Sequence, residues 1–125
     1  MKRAMRLSPY YPIWYLSNLG EALTMAGQYE EAVSVNQQLF ERSQKEKIPF
    51  WATAAHAWLA IGYSMVGREE EARYHVAEGL KNDPNWSLEM EREIYSYKNP
   101  ADLERHLDAL RKVGVPEHPP KKASD

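Results

Sequence analysis

Four histidines and three acidic runs are the side chains of this chain best suited to moving protons or holding cations. The histidines are His56, His75, His106 and His118; the acidic runs are Glu30-Glu31, Glu69-Glu70-Glu71 and Glu89, Glu91, Glu93. No two histidines stand four residues apart, and none has a carboxylate cluster at ligand spacing, so the pattern of a helical metal site is missing. His56 sits in an apolar stretch and reads as a hydrogen-bonded core or groove residue. The acidic runs open helices or line exposed faces, where they complement the helix dipole. Nothing in their context predicts the burial that would retune a carboxyl for acid–base work. No glycine-rich phosphate loop and no Gly-x-Ser-x-Gly elbow occurs. Asn85-Trp86-Ser87 fits the glycan acceptor pattern but is read as a helix cap, because no secretion signal accompanies it. The expectation is therefore no catalytic residue, no cofactor and no metal.

The elements around these residues repeat. Leu19-Gly20-Glu21-Ala22-Leu23-Thr24-Met25-Ala26-Gly27-Gln28-Tyr29-Glu30-Glu31-Ala32 returns further along as Leu59-Ala60-Ile61-Gly62-Tyr63-Ser64-Met65-Val66-Gly67-Arg68-Glu69-Glu70-Glu71-Ala72. Each copy reads helix, glycine, short polar turn, helix. Leu16, Leu19, Leu23 and Ala26 recur at helical spacing from about Pro12 and stop at Gly27. A second helix follows from Tyr29 to Gln44. The charged Lys45-Glu46-Lys47-Ile48-Pro49 predicts a loop or a frayed helix end. Trp51, Ala54, Ala55, Trp58, Leu59, Gly62, Met65 and Val66 mark a third helix, with Trp51 and Trp58 as core. Ala72, Val76, Gly79 and Leu80 mark a fourth, stopped by Asp83-Pro84. Ser87 caps a short helix carrying Leu88, Glu91, Ile94 and Tyr95. Asn99-Pro100 starts a last amphipathic helix with Leu103, Leu107 and Leu110.

At 125 residues with 43% apolar content, the chain can bury one modest core. A net charge of −2 gives no basic field for nucleic acid or an anionic membrane. Phe50 to Gly67 lacks Lys, Arg, Asp and Glu, yet Thr53, His56, Gly62, Tyr63 and Ser64 read as a buried helix and not a span. The absence of cysteine fits a reducing, cytoplasmic setting.

These residues resemble the tetratricopeptide repeat, a helix–turn–helix unit of about 34 residues. Leu16, Leu19, Gly20, Leu23, Gly27, Tyr29, Ala32 and Phe40 match it in the first unit, and Leu59, Ala60, Tyr63, Gly67, Ala72, Leu80 and Pro84 in the second. Ala4 and Pro9 match the end of an earlier unit. The extra residues of the longer period are expected at Lys45–Phe50. Asn36, Gln44 and Gly79 depart from the pattern. Tyr11-Pro12-Ile13-Trp14-Tyr15-Leu16, Asn99-Pro100-Ala101-Asp102-Leu103-Glu104 and Leu110 to Glu117 also look like the C-terminal region of bacterial class III adenylate or guanylate cyclase proteins. That likeness implies a regulatory or assembly arm.

The resemblance implies an all-α fold: tetratricopeptide-like hairpins in a short right-handed superhelix with C-terminal capping helices. Residues 1–9 end a preceding repeat, 12–44 and 50–84 are complete repeats, 87–114 cap them, and 115–125 form a disordered tail. It implies a protein or peptide partner bound in an inner groove of Trp14, Ser17, Glu21, Thr24 and Met25 with Ala54, Ala57, Ile61, Ser64 and Met65. Because Ser17, Glu21, Ala57 and Ile61 are not Lys, Asn or Arg, the groove suits an apolar peptide or a helix better than an acidic tail. The alternatives are a structural or homodimerising domain whose groove is filled by its own helix around Leu103–Leu110, and a small helical enzyme.

Overall fold

The computed structural model describes residues 11–120, and the described residues form six helices and no strand: α1 (Ile13–Met25), α2 (Tyr29–Glu46), α3 (Pro49–Met65), α4 (Glu69–Asn82), α5 (Leu88–Ile94) and α6 (Pro100–Lys112). The proposed end of an earlier repeat, with Ala4 and Pro9, lies outside the described residues. The chain is all-α. None of these helices is long and apolar enough to cross a membrane.

The repeated sequence produces repeated local geometry. Gly27 (φ 80°) and Gly67 (φ 85°) take the left-handed conformation that ends a helix without a Cβ clash. In both units the residue after this glycine donates back into the last helical turn: Gln28 N to Leu23 O (2.9 Å) and Arg68 N to Tyr63 O (2.8 Å). Such short turns make α1–α2 and α3–α4 antiparallel hairpins. Neighbours in sequence pack together from α1 to α4, while α1 also touches α3, and α6 lies on α3 and α5.

Of the two readings of Lys45–Pro49, a loop or a helix end, the structure has the helix end: α2 runs to Glu46 and only Lys47 and Ile48 separate it from α3. The helices α2, at 18 residues, and α3, at 17, outgrow α1 and α4, at 13 and 14. Lys47 (φ 57°) takes the left-handed cap position that glycine fills elsewhere, with Ile48 N donating to Ser43 O (3.0 Å), and Pro49 starts the next helix. The extra residues are thus spent on helix length.

The core has two parts. Leu16, Val35, Leu39 and Ala55 bind the first hairpin to the second. Trp58, Val76, Trp86, Leu107, Leu110 and Val113 bind the second hairpin to the C-terminal helices. Trp58 is core as expected, whereas Trp51 is only partly buried. Trp86 is fully buried over Gly79, where a Cβ would lie 2.6 Å from the ring; the residue that makes α4 atypical is the socket for this indole.

The expectation of a disordered tail from residue 115 is corrected for its first part. Val115 is buried, and Pro116 O and Glu117 O accept from Leu88 N (2.8 Å) and Glu89 N (3.0 Å). The first N–H groups of a helix lack intrahelical partners; this strap supplies them for α5. Residues 121–125 lie outside the described residues.

Candidate functional site

The inner face built by α1 and α3 meets the segment leading into α6. Glu21 points inward from α1 and receives a 2.8 Å bond from Lys98 Nζ. The Lys98 side chain is only 5% exposed, with its ammonium 5.2 Å from the Trp58 ring centre and 5.4 Å from that of Tyr95. A desolvated cation over aromatic faces gains from their quadrupoles. Tyr97 also donates to Glu21, at 3.1 Å. Partial burial, then the charge of Glu21, pushes the Tyr97 hydroxyl up to about 12.

Below this lock lies a polar pair inside the core. Glu91 of α5 accepts from Trp86 Nε1 at 2.8 Å, and its other oxygen lies 2.7 Å from His106 Nε2. Glu91 is 3% exposed and His106 4%. Trp58 donates to the Tyr95 hydroxyl at 3.0 Å and meets His106 edge-on at 4.8 Å. Burial, then the charge of Glu91, pushes the Tyr95 hydroxyl well above its ordinary value. His106 Nδ1 is buried with no protein partner. The expectation that no carboxylate is buried is therefore corrected: Glu91 belongs to the apolar stripe Leu88, Glu91, Ile94, Tyr95, and its two donors replace lost water. A carboxylate facing an imidazole is the orienting half of an acid–base pair. Here both Glu91 oxygens are committed and His106 Nδ1 has no hydrogen-bond partner, and the pair ties α5 to α6.

A second imidazole constellation joins α3 to α4. His56 and His75 face each other with their Nδ1 atoms 3.1 Å apart, His56 lies against Phe40, and His75 stacks on Tyr63. Burial first, then His75, holds His56 down at about 4, against the pull of Glu78. Burial also lowers His75, against Glu78 and Glu71. Among the described residues no three His, Cys, Asp or Glu side chains gather to hold a metal.

The ten expected groove residues do not share one surface. Ser17, Thr24, Ala57 and Ile61 are buried. Thr24 returns its hydroxyl to Gly20 O at 2.8 Å. Glu21 is taken by Lys98, and Ala54 and Ser64 are half-buried. Trp14, Met25 and Met65 are exposed. Thr24, Met25, Ile61 and Met65 meet again at a cleft of about 100 Å³, closed on its far side by Trp58, His106 and Ala109. Ala54 lines a separate cavity of about 250 Å³ with Phe50, Met90 and Tyr95. Trp14 stands apart, beside Tyr15 and Tyr11.

The residues missed by sequence reasoning are Lys98, Glu91, His106 and Trp86. Two carried a signal: Glu91 and His106 are polar residues on apolar helical stripes. Lys98 carried none, because its partner Glu21 lies at the other end of the chain.

Comparison with protein-family models, curated proteins and solved structures returns no match, so the functional reading rests on the residues themselves.

Proposed function

We propose that this chain is a protein–protein interaction scaffold of the tetratricopeptide-like kind, with its inner face held shut by its own C-terminal helix. The observation that carries this is the Lys98–Glu21 lock, with Tyr97 on the same carboxylate and α6 laid over Trp58. Stacked hairpins of this kind serve as surfaces more often than as reaction sites. With the inner face occupied, contact with partners falls to the exposed Trp14, Met25 and Met65 and to the outer helix surfaces. The likeness to the C-terminal region of bacterial cyclase proteins adds an expected setting, a regulatory or assembly arm.

Photo-crosslinking residues at Trp14, Met65 and the buried Ser17 and Ala57 test this. The expected result is adducts with protein from the two exposed positions and none from the buried pair. Adducts from Ser17 and Ala57 would restore the open groove. No adduct from any position would remove the interaction reading.

A further inference from the structure

We propose that the cavity between the start of α3, the end of α4 and α5 binds a small primary amine, as its ammonium ion, through an apolar body and the Asp83 carboxylate. This goes beyond the interaction reading above and does not depend on it.

Size and walls set the body of the ligand. The cavity holds about 250 Å³. One of about 150 Å³ accommodates benzene, so this one has room for a ring and a short arm. Phe50, Ala54, Met90, Ile94 and Tyr95 give it apolar walls. Met90 is unbranched and adapts to the shape it meets. Phe50 is 53% exposed and Ile94 36%. An apolar body seated between them takes that surface out of water.

The polar groups set its head. Asn82 Nδ2 donates to Pro49 O at 2.9 Å and to Thr53 Oγ1 at 2.7 Å. Both amide hydrogens are thus spent, and Asn82 Oδ1 remains as an acceptor. The next residue, Asp83, is half-buried; its Oδ1 accepts from Asn85 N at 3.0 Å, and no described residue engages its Oδ2. The deeper carboxylate, Glu91, is already served by Trp86 and His106. No cation lines the cavity. The nearest are occupied elsewhere: Lys98, whose ammonium is 5.4 Å from the Tyr95 ring centre, is bonded to Glu21, and Lys81 reaches Glu78 at 3.1 Å. The positive end of α3 and the negative end of α4 both reach the rim and oppose one another, so Asp83 decides the sign. An ammonium brings three donors and a charge to Asp83 and Asn82 Oδ1, beside the Phe50 ring. A hydroxyl in its place brings one donor and no charge, and a carboxylate is repelled. The apolar body then points inward to Ala54, Met90 and Tyr95.

Titration of the full chain with 2-phenylethylamine, followed by amide NMR at neutral pH, tests the proposal. The neutral and anionic analogues are 2-phenylethanol and phenylacetate. The amine should bind with a Kd of about 0.1–1 mM and shift the amides around Phe50, Ala54, Asp83 and Ile94. The alcohol should bind about tenfold more weakly, and phenylacetate not measurably. Asp83→Asn keeps the oxygen that accepts from Asn85; it should weaken the amine about tenfold and leave the alcohol as it was. Ala54→Leu fills the cavity and should remove both. Neither Ala54 nor Asp83 is fully buried, so both variants should keep the dispersed spectrum of the parent. Equal affinity for amine and alcohol would overturn the proposal, as would an amine affinity indifferent to Asp83→Asn. No shift at these amides up to tens of millimolar amine would overturn it too. Shifts that persist in Ala54→Leu would do the same, by placing the amine elsewhere on the surface.

Discussion

Acid should weaken this fold through one residue pair, and the repeat supplies the control. Stepping back by one repeat, from Leu59 to Leu19, places His56 and His75 on Leu16 and Val35, which are both buried in the first hairpin's core. The second hairpin thus carries two imidazoles where the first carries two aliphatic side chains. His56 is held at about 4 instead of 6.5. At about 1.4 kcal/mol per pH unit, that difference would be worth about 3 kcal/mol if the site were dry. One side opens to Gln44, Lys81 and Asn82, so screening reduces the figure to about 1–2 kcal/mol. The sign follows from which state binds the proton. Above pH 6.5 both folded and unfolded His56 are neutral, and the full stability is present. As pH falls from 6.5 toward 4 the unfolded chain takes the proton and the folded one does not, so stability is lost across that window and the loss levels off below it. The groups facing His56 are His75 and Glu78 on α4, with Lys81 nearby; Tyr63 and Glu71 bear on His75. The perturbation is His56→Leu with His75→Val, which copies the first hairpin. Urea unfolding at pH 7.5, 6, 5 and 4 is the assay. Between pH 6.5 and 4 the double variant should gain about 1–2 kcal/mol on the parent. Parallel loss of stability in the two proteins across that window would refute the reasoning.

Two further outcomes follow from the same packing. Lys98→Met should cost about 1–3 kcal/mol, because Glu21 keeps only Tyr97, and a double-mutant cycle with Glu21→Gln should give a coupling above about 0.5 kcal/mol; additive effects in urea titrations would show that the lock is not energetic. Gly79→Ala puts a Cβ 2.6 Å from the Trp86 ring and should cost about 1–3 kcal/mol by overpacking, with a changed tryptophan emission; an unchanged melt and spectrum would mean that Trp86 does not sit there.

Much of the fold was legible because it is local. Gly27 and Gly67 end helices through their own backbone conformation, Ser87 accepts from Met90 N, and Asn99 accepts from Ala101 N. Each signal and its consequence lie within a few residues. The Lys45–Pro49 segment was legible only as a loop or a helix end, because its charge and proline do not reveal that Lys47 supplies a left-handed cap and Pro49 a helix start. What covers the inner face was not legible, since Lys98 and Glu21 find each other only after the hairpins stack. The strap at Val115–Glu117 was hidden similarly: its prolines and polar residues read as a tail, but its carbonyls are what α5 lacks.

The first hairpin carries its own polar exception, and it tests the repeat from the opposite direction. Asn36 is fully buried, and neither its amide nitrogen nor its oxygen has a protein partner. Its side chain fills the space left by Gly20, where a Cβ would lie 2.1 Å from Asn36 Oδ1. In the second hairpin the same crossing is made by Ala60 and Val76, both buried and apolar. A buried amide without partners costs about 1–3 kcal/mol. Gly20→Ala alone should therefore destabilise, since the new methyl meets the amide. Asn36→Val should stabilise, and Gly20→Ala should become neutral or favourable once Asn36 is Val, because helix propensity then favours alanine by about 0.5–1 kcal/mol. The sign of the glycine substitution thus depends on residue 36, and urea titration of the four proteins reads it directly. If Asn36→Val lowers stability in both backgrounds, an ordered water or another polar group satisfies the amide. The two hairpins would then differ in the chemistry of their crossings despite sharing a register.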